Sequence, residues 1–177
     1  SSITVSWGAS NNPSGTIYIA DFSTNAGFIG AATSSQTFVN SASTSGLAAN
    51  VTYFIRVLAR NHQGLDSAYN SLVSTSTLAA APVFSALSGI TTGQVTANWN
   101  NQGNSASTIY LVTRSSAVDF TGAADVVQQG TNVTTFDFGG LASNVTYYFK
   151  GEASNNNGLS TPFTTTMTTS TLADTAS

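Results

Sequence analysis

One eight-residue segment occurs twice in this chain. Leu47-Ala-Ala-Asn-Val-Thr-Tyr-Phe54 returns as Leu141-Ala-Ser-Asn-Val-Thr-Tyr-Tyr148, an offset of 141 − 47 = 94 positions. Further upstream Trp7 corresponds to Trp99, an offset of 99 − 7 = 92. A repeat of this length is too long for a solenoid and matches the size of an independent all-β domain. The repeat therefore predicts two tandem domains, residues 1–80 and 81–177.

Apolar and polar residues alternate with a period of two, and helical periodicity is nearly absent, which predicts an all-β fold. The longest predicted strands, 53–60 and 147–154, occupy the same place in both copies. Gly151 stands in the second copy where the first has Val57. A glycine inside a strand indicates a bulge or a close neighbour above it.

Three features carry a family resemblance: a Trp that ends an early strand, a Leu six residues before a Tyr, and alternation that continues to Asn-x-x-Gly-Leu. In this pattern the chain resembles fibronectin type III domains, in the variant found in secreted and surface proteins of bacteria. The resemblance implies two tandem immunoglobulin-like β-sandwiches. It also implies that the cores contain Trp7 packed on Tyr53 and Trp99 packed on Tyr147.

The two copies differ at their start. Residues 82–90 precede the Trp99 strand and resemble the first strand of the family, whereas only six residues precede Trp7. We therefore expect the first sandwich to lack its N-terminal strand and to have an open edge and an uncovered core. Residues upstream of Ser1 in a longer parent, or a strand from a neighbouring chain, would close the gap. Within this chain, residues 171–177 are the best-placed donor.

Charge is scarce: only 6% of residues are Asp, Glu, Lys or Arg, against roughly 25% in an ordinary soluble domain. Four basic residues and a net charge of −3 exclude nucleic acid as a partner. The chain has no Cys, so disulfides are not expected. It also has no apolar run of membrane-spanning length, so membrane insertion is not predicted. A surface with so few charges has little to oppose association.

Catalytic, cofactor-binding and metal-binding residues are not predicted. The single His, His62, lies in a loop and is replaced by Asn156 in the second copy, which favours a solvated loop residue over a catalytic base. The carboxylates are scattered along the chain. A cation between Asp119 and Asp125 is conceivable, but a plain turn is the favoured interpretation.

Two sets of residues are candidate surface sites. Three sequons make Asn50, Asn132 and Asn144 candidate glycosylation sites. For Asn50 and Asn144 the alternative is a turn that favours Asn for its tolerance of left-handed backbone. The outward positions Phe54, Leu58 and Tyr148 are either covered by a neighbouring strand or form a contact patch for another subunit or a sugar.

These observations favour a non-catalytic structural or adhesive repeat outside the cell, part of a surface protein, sheath or filament assembled through strand edges and low-charge faces. Its expected partners are other copies of itself or neighbouring domains of a longer parent chain. Two alternatives remain open: a glycan- or receptor-binding module that uses its loops, and spacer domains of a secreted polysaccharide-degrading enzyme.

Overall fold

The computed structural model describes residues 1–30, 32–122, 124–129 and 133–176. The chain divides into two compact units, Ser1–Thr77 and Leu78–Ser177. Within the described residues all regular secondary structure is β-strand, as the alternation of period two predicts. Each unit is a pair of packed antiparallel sheets, so the all-β sandwich fold is confirmed.

Unit 1 contains seven strands: β1 Ser2–Ser6, β2 Ile17–Ser23, β3 Thr33–Thr37, β4 Ser41–Ser45, β5 Thr52–Arg60, β6 Asn70–Ser71 and β7 Thr75–Ser76. Strands β1 and β4 form one sheet. The other sheet has the order β3-β2-β5-β6, and β7 also pairs with β5. The buried side chains between the sheets include Ile3, Val5, Tyr18, Phe22, Ile55 and Val57.

Unit 2 also contains seven strands: β8 Val83–Ser88, β9 Val95–Asn100, β10 Ile109–Ser115, β11 Ala124–Gln129, β12 Thr135–Phe138, β13 Thr146–Ser154 and β14 Met167–Ser170. Its sheets have the orders β12-β9-β8 and β11-β10-β13-β14. Its core includes Val95, Trp99, Tyr110, Val112, Phe138 and Phe149. The strand predicted from residues 82–90 is thus present as β8, and among the described residues unit 1 has no counterpart of it.

The two tryptophans occupy equivalent places but have different burial. Trp99 is 4% exposed, whereas Trp7 is half-buried. Their ring partners are Tyr110 and Tyr18, with centroids 5.9 and 5.6 Å away, so the expected packing on Tyr147 and Tyr53 is wrong.

Strand direction explains the difference. Strand β13 runs antiparallel to β10 and places Ala153 opposite Tyr110. Tyr147, at the start of β13, therefore lies at the other end of the sandwich from Trp99. There its hydroxyl accepts a hydrogen bond from the Ala142 N–H at 3.0 Å. Tyr147 is buried, and its counterpart Tyr53 is half-buried.

The glycine in β13 has the close neighbour that its position indicated. A Cβ added to Gly151 would lie 3.3 Å from Cζ and 3.5 Å from Cε2 of Phe84. The Phe84 ring also packs edge-on against Trp99, with centroids 6.3 Å apart. Strand β8 thus inserts an aromatic ring between Trp99 and β13, and Gly151 leaves the room for it.

Candidate docking site

Strand β1 forms ladder hydrogen bonds through one flank only. It pairs antiparallel with β4, and the Trp7 N–H donates to the Asn40 carbonyl at 3.0 Å. Successive residues of an antiparallel strand direct their backbone groups to opposite flanks. Thr4 and Ser6 therefore present N–H and C=O groups away from β4, where no other strand pairs among the described residues. The corresponding flank of β9 is bonded to β8.

A cavity lies next to Trp7, the residue that follows β1. It has a volume of about 320 Å³, and its lining includes Trp7, Tyr18, Val57 and Leu72. In unit 2 the positions of Trp7 and Val57 correspond to Trp99 and Gly151, the two residues that the Phe84 ring contacts. The cavity therefore adjoins the two positions that the Phe84 ring contacts in the other copy. We call the flank and the cavity together the β1 groove.

The C-terminal segment is engaged within its own unit. The Thr171 N–H donates to the Val145 carbonyl at 3.0 Å, and the Leu172 N–H donates to the Thr91 carbonyl at 2.9 Å. The Thr171 side chain is buried and its hydroxyl donates to the Ala142 carbonyl at 2.7 Å. Of residues 171–177, the expected donor segment, these two are thus bonded within their own unit, because they continue β14 along the turn before β13.

The outer face of each larger sheet carries a cation held between two aromatic rings. In unit 1 the Arg56 guanidinium lies 4.2 Å from the Phe28 centroid and 3.7 Å from the Tyr69 centroid. In unit 2 the corresponding Lys150 Nζ lies 4.1 Å from both ring centroids, those of Phe120 and Phe163. A cation over an aromatic face contributes about 0.5–1 kcal/mol when exposed and about 2 kcal/mol when desolvated.

The sequence alone did not predict these two cation–aromatic clusters, although equivalent positions form them in both copies. In each cation–aromatic cluster one ring, Phe28 in unit 1 and Phe120 in unit 2, belongs to a residue with left-handed backbone, with φ of 53° and 59°. Such a conformation is uncommon for a bulky residue and costs free energy. The recurrence of a large aromatic at this strained position is the signal that could have identified the sandwich.

A buried carboxylate lies next to the Arg56 sandwich. Asp21 accepts hydrogen bonds from the Ser34 hydroxyl at 2.6 Å and from Arg56 Nε at 3.0 Å. Burial alone would raise the pKa of Asp21, but hydrogen bonds from Ser34, Tyr69 and Arg56 outweigh it and hold the pKa below its usual 3.8. The hydrogen bond to Asp21 in turn raises the pKa of the Tyr69 hydroxyl.

The expected contact patch is not an exposed surface. Leu58 is only 6% exposed and lies opposite Ile19 of the neighbouring strand β2. Phe54 and Tyr148 are half-buried. Leu58 is therefore covered within its own unit, and Phe54 and Tyr148 are partly covered.

The three sequons have different surroundings. Asn50 is fully buried, at 0% exposed, whereas Asn144 is exposed. Both residues have left-handed backbone, with φ 51° and 55°, which is the turn geometry that favours Asn. Burial of Asn50 removes the access that glycosylation requires, so that candidate is wrong in the folded protein. Asn132 lies outside the described residues.

The loops at one end of unit 1 surround a second cavity of about 360 Å³. Its lining includes Asn12, His62 and the ion pair of Arg60 with Asp66, in which Arg60 Nη2 donates to Asp66 Oδ2 at 2.9 Å. His62 is exposed. The lining contains no Trp, Tyr or Phe ring, so a stacking platform for a sugar is absent from this cavity.

The two carboxylates considered for a cation have separate partners. Asp119 accepts hydrogen bonds from the N–H and the hydroxyl of Thr121, at 3.0 and 2.7 Å. These bonds hold the pKa of Asp119 below its ordinary value. Asp125 forms an ion pair with Arg114. The plain-turn interpretation of Asp119 therefore describes this segment.

Within the described part of the chain, no group of three or more His, Asp or Glu side chains is arranged to hold a metal ion. The same residues include no helix long and apolar enough to cross a membrane.

Comparison with known proteins identifies the fold. No protein-family model and no curated protein sequence matches the chain. A two-domain fibronectin type III segment from chicken tenascin is 17% identical, covers 96% of this chain and 92% of its own length, and has a TM-score of 0.66. The FN1–FN3 domains of chicken CNTN1 are also 17% identical and cover 97% of this chain, with a TM-score of 0.48; the chain spans 62% of their length. The likeness to the tenascin segment establishes that the chain has the fold of two tandem fibronectin type III-like sandwiches.

Proposed function

We propose that this chain is a non-catalytic structural repeat of an extracellular protein, of the kind found in bacterial secreted and surface proteins. In this role its first unit is completed by a strand from a neighbouring polypeptide segment. The observation that carries the proposal is the pairing of β1 on one flank, where its counterpart β9 pairs on both. An open row of backbone donors and acceptors is a template for another strand.

The composition of the surface supports this role. With 6% charged residues, neighbouring copies or domains meet little electrostatic repulsion. The alternative of a glycan-binding module has less support, because the loop cavity of unit 1 has no aromatic ring of Trp, Tyr or Phe in its lining.

The experiment uses the full chain and a synthetic nine-residue peptide that copies residues 82–90. Binding is followed by amide hydrogen exchange of Thr4 and Ser6, whose N–H groups face the open flank. We expect slower exchange at both amides when peptide is present. Unchanged exchange at saturating peptide would refute the proposal.

Two proline variants give a matched control. Thr4→Pro removes an N–H from the open flank of β1, and Ser43→Pro removes one from the outer flank of β4, because the two residues lie opposite each other in the ladder. Both variants lose the same hydrogen bond between the Thr4 and Ser43 hydroxyls, 2.9 Å long. Thr4→Pro should abolish peptide binding and Ser43→Pro should retain it. Equal loss in both would contradict docking at β1.

A further inference from the structure

The loop that follows β13 contains the single Asn-Gly dipeptide of the chain, Asn157-Gly158. Both residues are exposed. The backbone nitrogen that follows an asparagine can attack the side-chain amide, and a glycine at that place has no Cβ to hinder the approach. Asparagine is accordingly one of the thermolabile residues of proteins. The sequence of this loop therefore favours deamidation at Asn157.

The fold holds the attacking nitrogen in a hydrogen bond. The Gly158 N–H donates to the Asn155 carbonyl at 2.8 Å, which closes a β-turn over residues 155–158. Gly158 has a φ of 76°, whereas neither Asn156 nor Asn157 has positive φ. This combination is that of a type I turn with glycine at its last position.

Ring closure needs a different backbone conformation. The five-membered succinimide ring would contain the Gly158 nitrogen together with C, Cα, Cβ and Cγ of Asn157, so the nitrogen has to eclipse Cβ. In a type I turn the ψ of the third residue is about 0°. The nitrogen then eclipses the backbone nitrogen of Asn157 and lies a third of a rotation away from Cβ. The reaction therefore requires the turn to open.

A buried asparagine side chain holds the turn closed. Asn155 is 4% exposed, and its Oδ1 accepts the N–H groups of Asn157 at 3.0 Å and Leu159 at 2.9 Å. Its backbone N–H donates to the Leu159 carbonyl at 3.0 Å. These bonds fix the backbone on both sides of the peptide bond between Asn157 and Gly158. Opening of the turn has to break them first.

We propose that Asn157 is a site of spontaneous deamidation and that Asn155 sets its rate by holding the turn closed. In the open turn a solvent base removes the amide proton of Gly158, and the nitrogen forms a bond to Cγ of Asn157. The bond from Cγ to Nδ2 breaks, and ammonia leaves with a proton from water. The product of this step is a succinimide.

Water then opens the succinimide in one of two ways. Cleavage of the bond between the Gly158 nitrogen and Cγ gives aspartate at position 157. Cleavage of the bond between that nitrogen and the main-chain carbonyl carbon gives isoaspartate, which lengthens the loop backbone by one methylene. Either product adds a negative charge to a chain whose formal net charge is −3. On a surface where so few charges oppose association, each added charge increases the repulsion between copies.

Unit 1 has the same turn without the reactive dipeptide. The Gly64 N–H donates to the Asn61 carbonyl at 3.0 Å. Asn61 Oδ1 accepts the N–H groups of Gln63 at 3.0 Å and Leu65 at 2.9 Å. Gln63 stands at the position of Asn157, and its longer side chain would have to close a larger ring. We therefore expect deamidation in the loop of unit 2 only.

The experiment incubates the full chain and a synthetic peptide of residues 151–177 in the same mildly alkaline buffer. Trypsin cleaves after Lys150 and meets no later Lys or Arg, so a digest of the denatured chain yields the same segment. Mass spectrometry measures the fraction in which the amide NH2 is replaced by OH, and fragmentation locates the change.

We expect the peptide to deamidate at Asn157 at least about tenfold faster than the folded chain, because only the peptide lacks the closed turn. Equal rates would overturn the role of the turn. Absence of deamidation at Asn157 in the peptide, or a faster change at another Asn of the segment, would overturn the site itself.

Variants at Asn155 test the role of its side chain. Asn155→Ala removes the acceptor of two hydrogen bonds and should deamidate at least about tenfold faster than the wild type. Asn155→Asp keeps the acceptor and should remain near the wild-type rate. Asn61→Ala opens the equivalent turn of unit 1 and is the matched control, which should leave the rate at Asn157 unchanged. An unchanged rate in folded Asn155→Ala would overturn the role of Asn155.

Amide hydrogen exchange of the wild type provides the test if Asn155→Ala does not fold. The Gly158 amide must leave its hydrogen bond both to exchange and to react. Its protection factor should therefore match the ratio of the deamidation rates of the peptide and the folded chain. Exchange of the Gly158 amide at the unprotected rate would overturn control by the turn.

Discussion

Replacing each tryptophan by alanine tests how much the first strand contributes to a sandwich core. Trp99 is 4% exposed and packs between Phe84 and Tyr110, at centroid distances of 6.3 and 5.9 Å. Truncation of a fully buried aromatic costs about 3–5 kcal/mol. Trp7 packs on Tyr18 but has no strand above it and is half-buried, so its truncation should cost roughly half as much, about 1.5–2.5 kcal/mol.

The assay is thermal unfolding of the full chain by calorimetry, with tryptophan fluorescence as a local probe. For a domain of this size 1 kcal/mol shifts the melting temperature by about 4–8 °C. Trp99→Ala should therefore lower the transition of unit 2 by at least about 12 °C. It leaves Trp7 as the only tryptophan, and its fluorescence transition should stay where it is in the wild type.

The result that would refute this reasoning is a Trp7→Ala cost equal to or greater than that of Trp99→Ala. Such a result would mean that the core of unit 1 does not depend on cover from a further strand. A second contrary result would be a shift of the Trp7 fluorescence transition in Trp99→Ala, because the two units would then not unfold independently. A trypsin digestion series provides the control that each variant is folded at 25 °C.

Three further predictions concern single positions. Asp21→Asn should lower the free energy of unfolding of unit 1 at neutral pH by about 1–3 kcal/mol. Because the folded-state pKa of Asp21 lies below the usual 3.8, the ionised carboxylate stabilises unit 1 above that pH, and this contribution is lost as the pH falls below it. Denaturation curves of wild type and variant should therefore converge in acid. In chemical denaturation, Gly89→Ala should destabilise unit 2 more than Gly140→Ala. Both glycines have left-handed backbone, but of the two only Gly89 has a neighbour that an added Cβ would meet, the Thr96 hydroxyl at 2.5 Å. Equal losses of stability would contradict this. In a glycosylating host, intact mass should drop on Asn144→Gln and not, beyond the substitution itself, on Asn50→Gln, because Asn50 is buried; a glycan on Asn50 would contradict the burial.

Much of the fold could be predicted from the repeat and the alternation. The expected strand from residues 82–90 forms β8. The neighbour above Gly151 could be predicted as a type of contact. Its identity as Phe84 could not, since it depends on the register of β8 against β9, which shifts between Phe84 and Ala86.

Other contacts depend on strand direction and on loops, which period-two patterns do not encode. The pairing of Trp99 with Tyr110 instead of Tyr147 follows from the antiparallel run of β13. The cation sandwiches bring together a strand residue, such as Lys150, with aromatics from two separate loops, Phe120 and Phe163. Only the three-dimensional fold places these segments on one face.

Identical motifs also acquire different exposure. The segment around Asn50 and that around Asn144 share the turn, the left-handed backbone and the following Val-Thr, yet one Asn is buried and the other is exposed. Sequence context beyond the motif determines this difference. A sequon by itself therefore predicts the turn better than it predicts the modification.

Comparison of the two copies within one chain separates the features that both sandwiches share from those that differ with the first strand. Both copies keep the Trp–Tyr pair and the cation sandwich, so these features are independent of the first strand. The residue at position 57 or 151 differs between the copies: Gly151 leaves room for the Phe84 ring of β8, whereas Val57 is buried and lines the cavity next to Trp7.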